Sequence, residues 1–373
     1  MTIALRADVH RFSLTDPSDV SGLRDAIDAG AIDPATIVAV IGKTHGNGLV
    51  NDYTRGYLAL SLSLLIGGWL GEAADAVRAR IPFVFSGGVE GVLSPHYAVF
   101  TVQAADSPDR NAKALAIGVA FTGRMRPADV GRQAQIDAVA EAVGRARARA
   151  GIEAGETHFV QVKGPAFTLA EILEDRQAGR VAATEDPSKL MSFGRAACAL
   201  GVASALGELE CGQAVEAAVL RDFTLYSSVA SISAGIEVRC NEVIVVGMSR
   251  NWSGPLAIEH CTMSDALDVT SVHAMLERLG FPAAGQIVDP RRLRAGFVKC
   301  EAQRNGLIRG RPHTMLNDGD INEQRHIRGA VGAIIASIFN DTGLFVSGGA
   351  EHQGPGGGGI VALIAERAAW RPW

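Results

Sequence analysis

The sequence predicts an α/β protein of three similar sheet-and-helix units around a pseudo-threefold axis, with one site at the centre. Three recurrences predict it: a strand ending in lysine, an arginine-bearing helix of small residues, and a strand breaking at serine, always in that order.

The lysine strands are IVAVIGK ending at Lys43, HFVQVK at Lys163 and LRAGFVK at Lys299. Their apolar, β-branched character is that of buried strands. The helical segments are TRGYLALSLSLLIGG with Arg55, FGRAACALGVASALGE with Arg195 and IRGAVGAIIASIF with Arg328, each expected to open with its arginine. Their Gly, Ala and Ser residues permit close packing on a sheet. The serine strands are FVFSGGVE (Ser86), SISAGIE (Ser233) and LFVSGGAE (Ser347), each serine followed four residues on by Glu90, Glu237 or Glu351.

Each unit needs an opening strand and helix. IALRADVHRF, ALAIGVAFT and PLAIEH supply the strands; SDVSGLRDAIDAG, IDAVAEAVGRARARAG and SVHAMLERLG supply amphipathic helices. Polar stretches AADSPDRNA near residue 105 and SRNWSG near 250 read as linkers, dividing the chain into 1–104, 105–250 and 251–373.

Composition sets limits on partners. The 373 residues are 47% hydrophobic and 20% charged with a formal charge of -5, which is a folding, soluble composition without a basic footprint for nucleic acid or an acidic membrane surface. A small molecule is the expected partner. Residues 56–70, GYLALSLSLLIGGWL, are too short to span a bilayer and read as a buried helix. The first residues lack the apolar core of a signal peptide, and the location expected is cytoplasmic. Five cysteines (Cys198, Cys211, Cys240, Cys261 and Cys300) lack CxxC spacing and read as reduced core residues.

Taken singly, a strand-end lysine is a solvated charge and an SGG is a turn. Their fixed order in three units has no such explanation. Units packed about a shared axis bring the Lys, Arg and Ser residues together, making a cationic pocket lined by hydroxyls and backbone N–H groups for a flat, oxygen-rich ligand. Crowding and burial depress a lysine's pKa, and a neutral lysine beside a serine hydroxyl is a general base for acyl transfer to water. No HxH or HExxH spacing holds a catalytic zinc. A non-catalytic anion binder using the same pocket is the alternative from another class.

GKTHGNGLVNDYTR (42–55), FSGGVEGVLSPH (85–96), FVQVK (159–163), ASISAGIE (230–237), RGRPHTMLNDGDIN (309–322) and VSGGAEHQGPGGGG (346–359) span nearly the whole chain. In these motifs the sequence resembles the ring-opening amidohydrolases, the family of cyanuric acid hydrolases and barbiturases. The resemblance implies three α/β domains about a pseudo-threefold axis, a homotetramer, no organic cofactor, and a heterocyclic substrate of alternating carbonyl and nitrogen groups. Carried over by position, it makes Ser233 the nucleophile and Lys163 its base. It places Arg55, Arg195 and Arg328 on the ring with Ser86–Gly87, Ser233–Ala234 and Ser347–Gly348, and gives Lys43 and Lys299 a supporting role. It further implies a structural divalent ion, Mg or Ca, on Glu301 and the backbone oxygens of Ala350, Gln353, Gly354, Pro355 and Gly358. The implied reaction opens cyanuric acid to carboxybiuret and then biuret; barbiturase activity is the near alternative. Two positions depart from the family pattern: His45 stands where glutamate is usual, and FGRAAC surrounds Arg195. His45, His96, His313 and His352 read as hydrogen-bonding loop residues, none forming a triad with Ser and Asp.

Overall fold

The computed structural model describes residues 4–105 and 112–367. Three four-strand cores share one order. The first comprises β1 (Ala4–Ser13), β2 (Ile37–Thr44), β3 (Phe83–Gly87) and β4 (His96–Ala105); the second β5 (Ala114–Phe121), β6 (Thr157–Pro165), β7 (Ala230–Gly235) and β8 (Glu242–Ser249). After the short β9 (Trp252–Ser253) come β10 (Leu256–Met263), β11 (Leu293–Lys299), the hairpin β12 (Leu307–Ile308) and β13 (Arg311–Pro312), then β14 (Phe345–Ser347) and β15 (Gly359–Glu366). In every core the serine strand lies at one edge, parallel to the lysine strand, and the opening strand pairs antiparallel with the closing one: β3-β2-β4-β1, β7-β6-β8-β5 and β14-β11-β15-β10.

The helices are α1 (Ser21–Asp28), α2 (Thr54–Leu70), α3 (Ala74–Arg78), α4 (Gln133–Ala150), α5 (Leu169–Gln177), α6 (Pro187–Leu206), α7 (Val269–Arg278) and α8 (Glu323–Phe339). Their ends are written locally. The Asp186 side chain accepts from Ser188 and Lys189 ahead of Pro187, starting α6 well before the segment expected. Arg195 therefore lies two turns inside its helix. Gly71, Gly151 and Gly207 end α2, α4 and α6 in the left-handed conformation, and Asn340 does so for α8.

Alternation along the strands decides what faces the centre. In the first sheet Val40, Phe83, Phe85, Tyr97 and Val99 pack with Leu58 and Leu62 of α2, whereas Ala39, Ile41, Val84, Ala98 and Phe100 join the large core shared with the other two sheets. Phe159 of β6 stacks on Phe297 of β11 at 4.3 Å inside that shared core. Lys43 follows the parity of Ile41, Lys163 that of Phe159 and Lys299 that of Phe297. All three lysines thus project to the side where the sheets meet.

Several sequence expectations need correction. SRNWSG is not a plain linker: β9 pairs with β1, and buried Trp252 donates from its indole to the Ala150 carbonyl at 2.7 Å, an anchor that a polar reading misses. Most of the polar stretch AADSPDRNA, residues 106–111, lies outside the described residues. The cysteines are all free, but only Cys198 and Cys300 are buried and Cys211 is exposed. Helix α2 is not buried all round, since Tyr57, Leu60, Leu64 and Trp69 face outward, as does Tyr53 just before it. No helix among the described residues is long and apolar enough to cross a membrane.

Candidate active site

Each lysine lies opposite its own serine in register on adjacent parallel strands: Lys43 with Ser86, Lys163 with Ser233 and Lys299 with Ser347. The lysines are essentially inaccessible, at 1%, 0% and 0% exposure. Contacts then run from sheet to sheet. Lys163 donates to the Phe85 carbonyl of the first sheet at 2.6 Å, Lys299 donates to the Ile232 carbonyl of the second at 2.8 Å, and Lys43 lies 5.7 Å from the Phe345 ring of the third. The hydroxyls of Ser86 and Ser347 are 3.3 Å apart. The Lys, Arg and Ser sets expected to converge do so.

The three lysines are not equivalent. Lys43 donates to Ser86 Oγ at 3.2 Å and Lys299 to Ser347 Oγ at 3.2 Å. Lys163 is turned instead to Glu237, at 2.6 Å from Oε1. Ser233 Oγ, buried, has no hydrogen-bond partner among the described residues. The expected Ser233–Lys163 pair is therefore adjacent in register but not hydrogen-bonded, because a carboxylate competes for the ammonium.

Glu237 belongs to a second cycle that sequence reasoning left without a role. Glu90 takes Arg328 in a two-pronged grip at 2.6 and 2.7 Å, and Glu351 takes Arg195 at 2.6 and 2.9 Å. Each pair joins one unit to the next. Arg55 breaks the rule: its Nε is 3.5 Å from Glu237, while its guanidinium donates to the carbonyls of Ala234 at 2.7 Å and Leu49 at 2.8 Å. The signal available was the constant serine-plus-four spacing of the three glutamates. With three carboxylates among the cations, the centre is not the bare cluster of positive charge expected from sequence. The amide of Gly349 is also occupied, by Gln324 Oε1.

Burial dominates the electrostatics. It lowers Lys43 well below the usual lysine value, Lys299 to about 7 and Lys163 to about 8, with Glu237 opposing the shift at Lys163. Burial would raise Glu351, but the Arg195 charge and hydrogen bonds outweigh it and hold the carboxyl at about 2. Glu242, paired in register with Lys163, is raised by burial to about 8 and accepts the Phe83 amide at 3.1 Å. A cavity of about 1030 Å³ opens over Arg195, Arg328, Glu90, Glu351 and Gly348. Buried hydroxyls beside lysines near neutrality are suited to nucleophilic acyl transfer.

Residues 8–366 match the family model described as amidohydrolase ring-opening protein. The chain belongs to the ring-opening amidohydrolases. It is 45% identical to a cyanuric acid amidohydrolase of Enterobacter cloacae, covering 98% of this chain and 100% of that protein. It is 47% identical to one from Pseudomonas sp. (strain ADP), covering 96% and 98%. A solved cyanuric acid hydrolase superposes with a TM-score of 0.92 at 46% identity, over 97% of this chain and 100% of that one. A cyanuric acid hydrolase from A. caulinodans gives 0.88 at 46% identity, over 98% and 100%. The chain is thus a hydrolase of this family, with a mixed α/β fold in several sheets.

Within this ring-opening amidohydrolase the loop 350–358 folds against residues 299–303. Burial lifts the Glu301 carboxyl to about 7 against the pull of Arg304, which reaches its Oε2 at 2.7 Å. The Ala350 and Pro355 carbonyls accept the amides of Gln353 and Gly358 at 2.9 and 3.0 Å, and the Gly354 amide donates to Ser227 at 3.0 Å. Gln353 Oε1 accepts the Ile232 amide at 2.7 Å, tying this loop to the strand that carries Ser233. Among the described residues no three His, Cys, Asp or Glu side chains gather as metal ligands. One buried carboxylate beside a carbonyl-rich loop is nevertheless donor chemistry that fits a hard divalent cation. Of the four motif histidines, His96 and His313 contact the carbonyls of Ser94 and Gln303, and His352 accepts the Leu220 amide and bonds the Leu225 carbonyl. His96 does so from a strand, and His45 is exposed.

Proposed function

We propose that this enzyme opens cyanuric acid hydrolytically, with Ser233 as nucleophile and Lys163 as its base. What carries the reading is the convergence of three register-matched Lys–Ser pairs in which, among the described residues, only Ser233 Oγ is left unpartnered. The other two hydroxyls are held by their own lysines and by each other, which suits them to holding ring oxygens. The finer architecture proposed is a pseudo-threefold axis through this centre, relating units 1–104, 105–250 and 251–373. Cyanuric acid has the same symmetry, so each carbonyl meets one serine and its following residue (Gly87, Ala234 or Gly348) and each arginine one ring edge.

In the reaction neutral Lys163 takes the Ser233 hydroxyl proton as Oγ bonds a ring carbonyl carbon. The ring C–N bond breaks, its nitrogen receiving the proton from Lys163. Water then adds to the acyl-enzyme and Ser233 recovers its proton, releasing carboxybiuret, which loses carbon dioxide to give biuret. Lys163 must exchange Glu237 for Ser233 to act, and loss of its ammonium proton removes the charge that holds it there. No organic cofactor enters. Glu301 and the carbonyls of Ala350, Gln353, Gly354, Pro355 and Gly358 would hold Mg or Ca, which would brace the loop behind Ser233. The working assembly is proposed as a cytoplasmic homotetramer.

The test is biuret release by the purified chain from cyanurate, run against barbiturate. Turnover of cyanurate, lost by several orders of magnitude in Lys163→Ala, is expected. Preference for barbiturate, or ligand binding without turnover, would overturn it.

A further inference from the structure

The three arginines are balanced in two different ways. Glu90 and Glu351 each grip one arginine with both oxygens, whereas Glu237 stands 3.5 Å from Arg55 and gives its Oε1 to Lys163 at 2.6 Å. The units differ again one turn before the arginine, where Asp52, Ser192 and Arg325 occupy the equivalent place. Ser192 accepts a hydrogen bond from Arg195 at 2.9 Å, and Arg325 adds a second cation 3.5 Å from Glu90. Of the three, Asp52 offers its arginine an opposite charge: it is 3% exposed, and its Oδ2 lies 3.9 Å from Arg55 Nε. The arginine with a carboxylate of its own is thus the one whose glutamate has turned to a lysine.

We propose that Asp52 is a positioning residue for the reaction: it supplies the buried counter-charge of Arg55 and so releases Glu237 to Lys163. The inference rests on the reading of Lys163 as the base. Asp52 is fixed on both sides. Its Oδ2 accepts the Gly48 amide at 2.8 Å, and its Oδ1 accepts the amide and the hydroxyl of Thr54 at 3.1 and 2.5 Å. A Cβ on Gly46 or Gly87 would meet its oxygens at 2.0 and 1.6 Å, so the carboxylate is wedged behind the Ser86–Gly87 pair. In such buried surroundings a charge beside Arg55 is weakly screened. The other charged groups about Glu237 and Lys163 are Arg78 of α3, which donates to the Glu237 carbonyl at 2.8 Å, and Glu242 of β8, in register with Lys163. Without Asp52, Arg55 has Glu237 as its one remaining carboxylate among the described residues. It then draws Glu237 into the two-pronged grip of the sister pairs, because a buried guanidinium left uncompensated is costly. Lys163 keeps the Phe85 carbonyl and loses its carboxylate.

The test is the pH dependence of kcat/KM for cyanurate in the full chain carrying Asp52→Asn, which keeps the shape and an acceptor for the Gly48 amide. Asp52→Ser, matching Ser192 of the second unit, is the independent variant. A midpoint about half a pH unit or more below wild type is expected, with the plateau kcat within about tenfold, because a lysine without its carboxylate gives up its proton more readily. Glu237→Gln should give the same shift, and adding Asp52→Asn to it should move the midpoint no further. A crystal structure of Asp52→Asn should show Arg55 gripping both oxygens of Glu237. A lowered plateau with an unmoved midpoint, or an Asp52→Asn structure in which Lys163 keeps Glu237, would overturn the role of Asp52 and leave Lys163 as the base. Undiminished turnover in Lys163→Ala would instead overturn the reading on which it rests.

Discussion

At Lys163 the chemistry and the titration are one question. Burial sets its pKa at about 8, so below that pH it is an ammonium held by Glu237 and above it a free base. Turnover should therefore rise with pH and reach half its plateau near pH 8; a rate flat from pH 6 to 9 would exclude Lys163 as the base. Glu237 raises the lysine pKa, so Glu237→Gln should move the midpoint of kcat/KM to lower pH, which a pH–rate profile reads directly. The lysines, arginines and serines were legible because each recurs three times at a fixed place. The unequal contact of Lys163 was not, because it depends on which of two neighbours wins a buried ammonium.

Among the elements, the Arg–Glu grips hold one unit to the next. Truncating Glu90 to alanine leaves the Arg328 guanidinium buried and uncompensated, and a loss of about 3–5 kcal/mol is expected in denaturant unfolding. The start of β15 is equally constrained: Gly359 has a φ of 143°, and a Cβ there would meet the Lys299 carbonyl at 1.9 Å. Gly359→Ala should fail to fold or melt well below wild type. The lysine strands were readable from their apolar runs with little error. Helix α6 was read short because its start is set by an Asp-Pro cap outside the small-residue pattern, and the role of Trp252 was hidden because one buried indole in a polar stretch leaves no period.

For the whole molecule, one core shared by three sheets is what brings the distant serines together. Phe297→Ala opens that core where Phe159 stacks, at an expected cost of about 3–5 kcal/mol, and should slow turnover through misplacement of Lys163 and Lys299. The order of strands followed from the repeat, but the exchange of contacts between units did not, since parity fixes which face a lysine takes and not which neighbour it meets. The claim at the centre is that three like hydroxyls divide their labour. Biuret release measured for Ser86→Ala, Ser233→Ala and Ser347→Ala decides it most directly. A loss of about 1,000-fold or more in kcat is predicted for Ser233→Ala, with smaller effects carried mainly by KM for the other two; a loss at Ser86 or Ser347 equal to that at Ser233 would contradict the assignment.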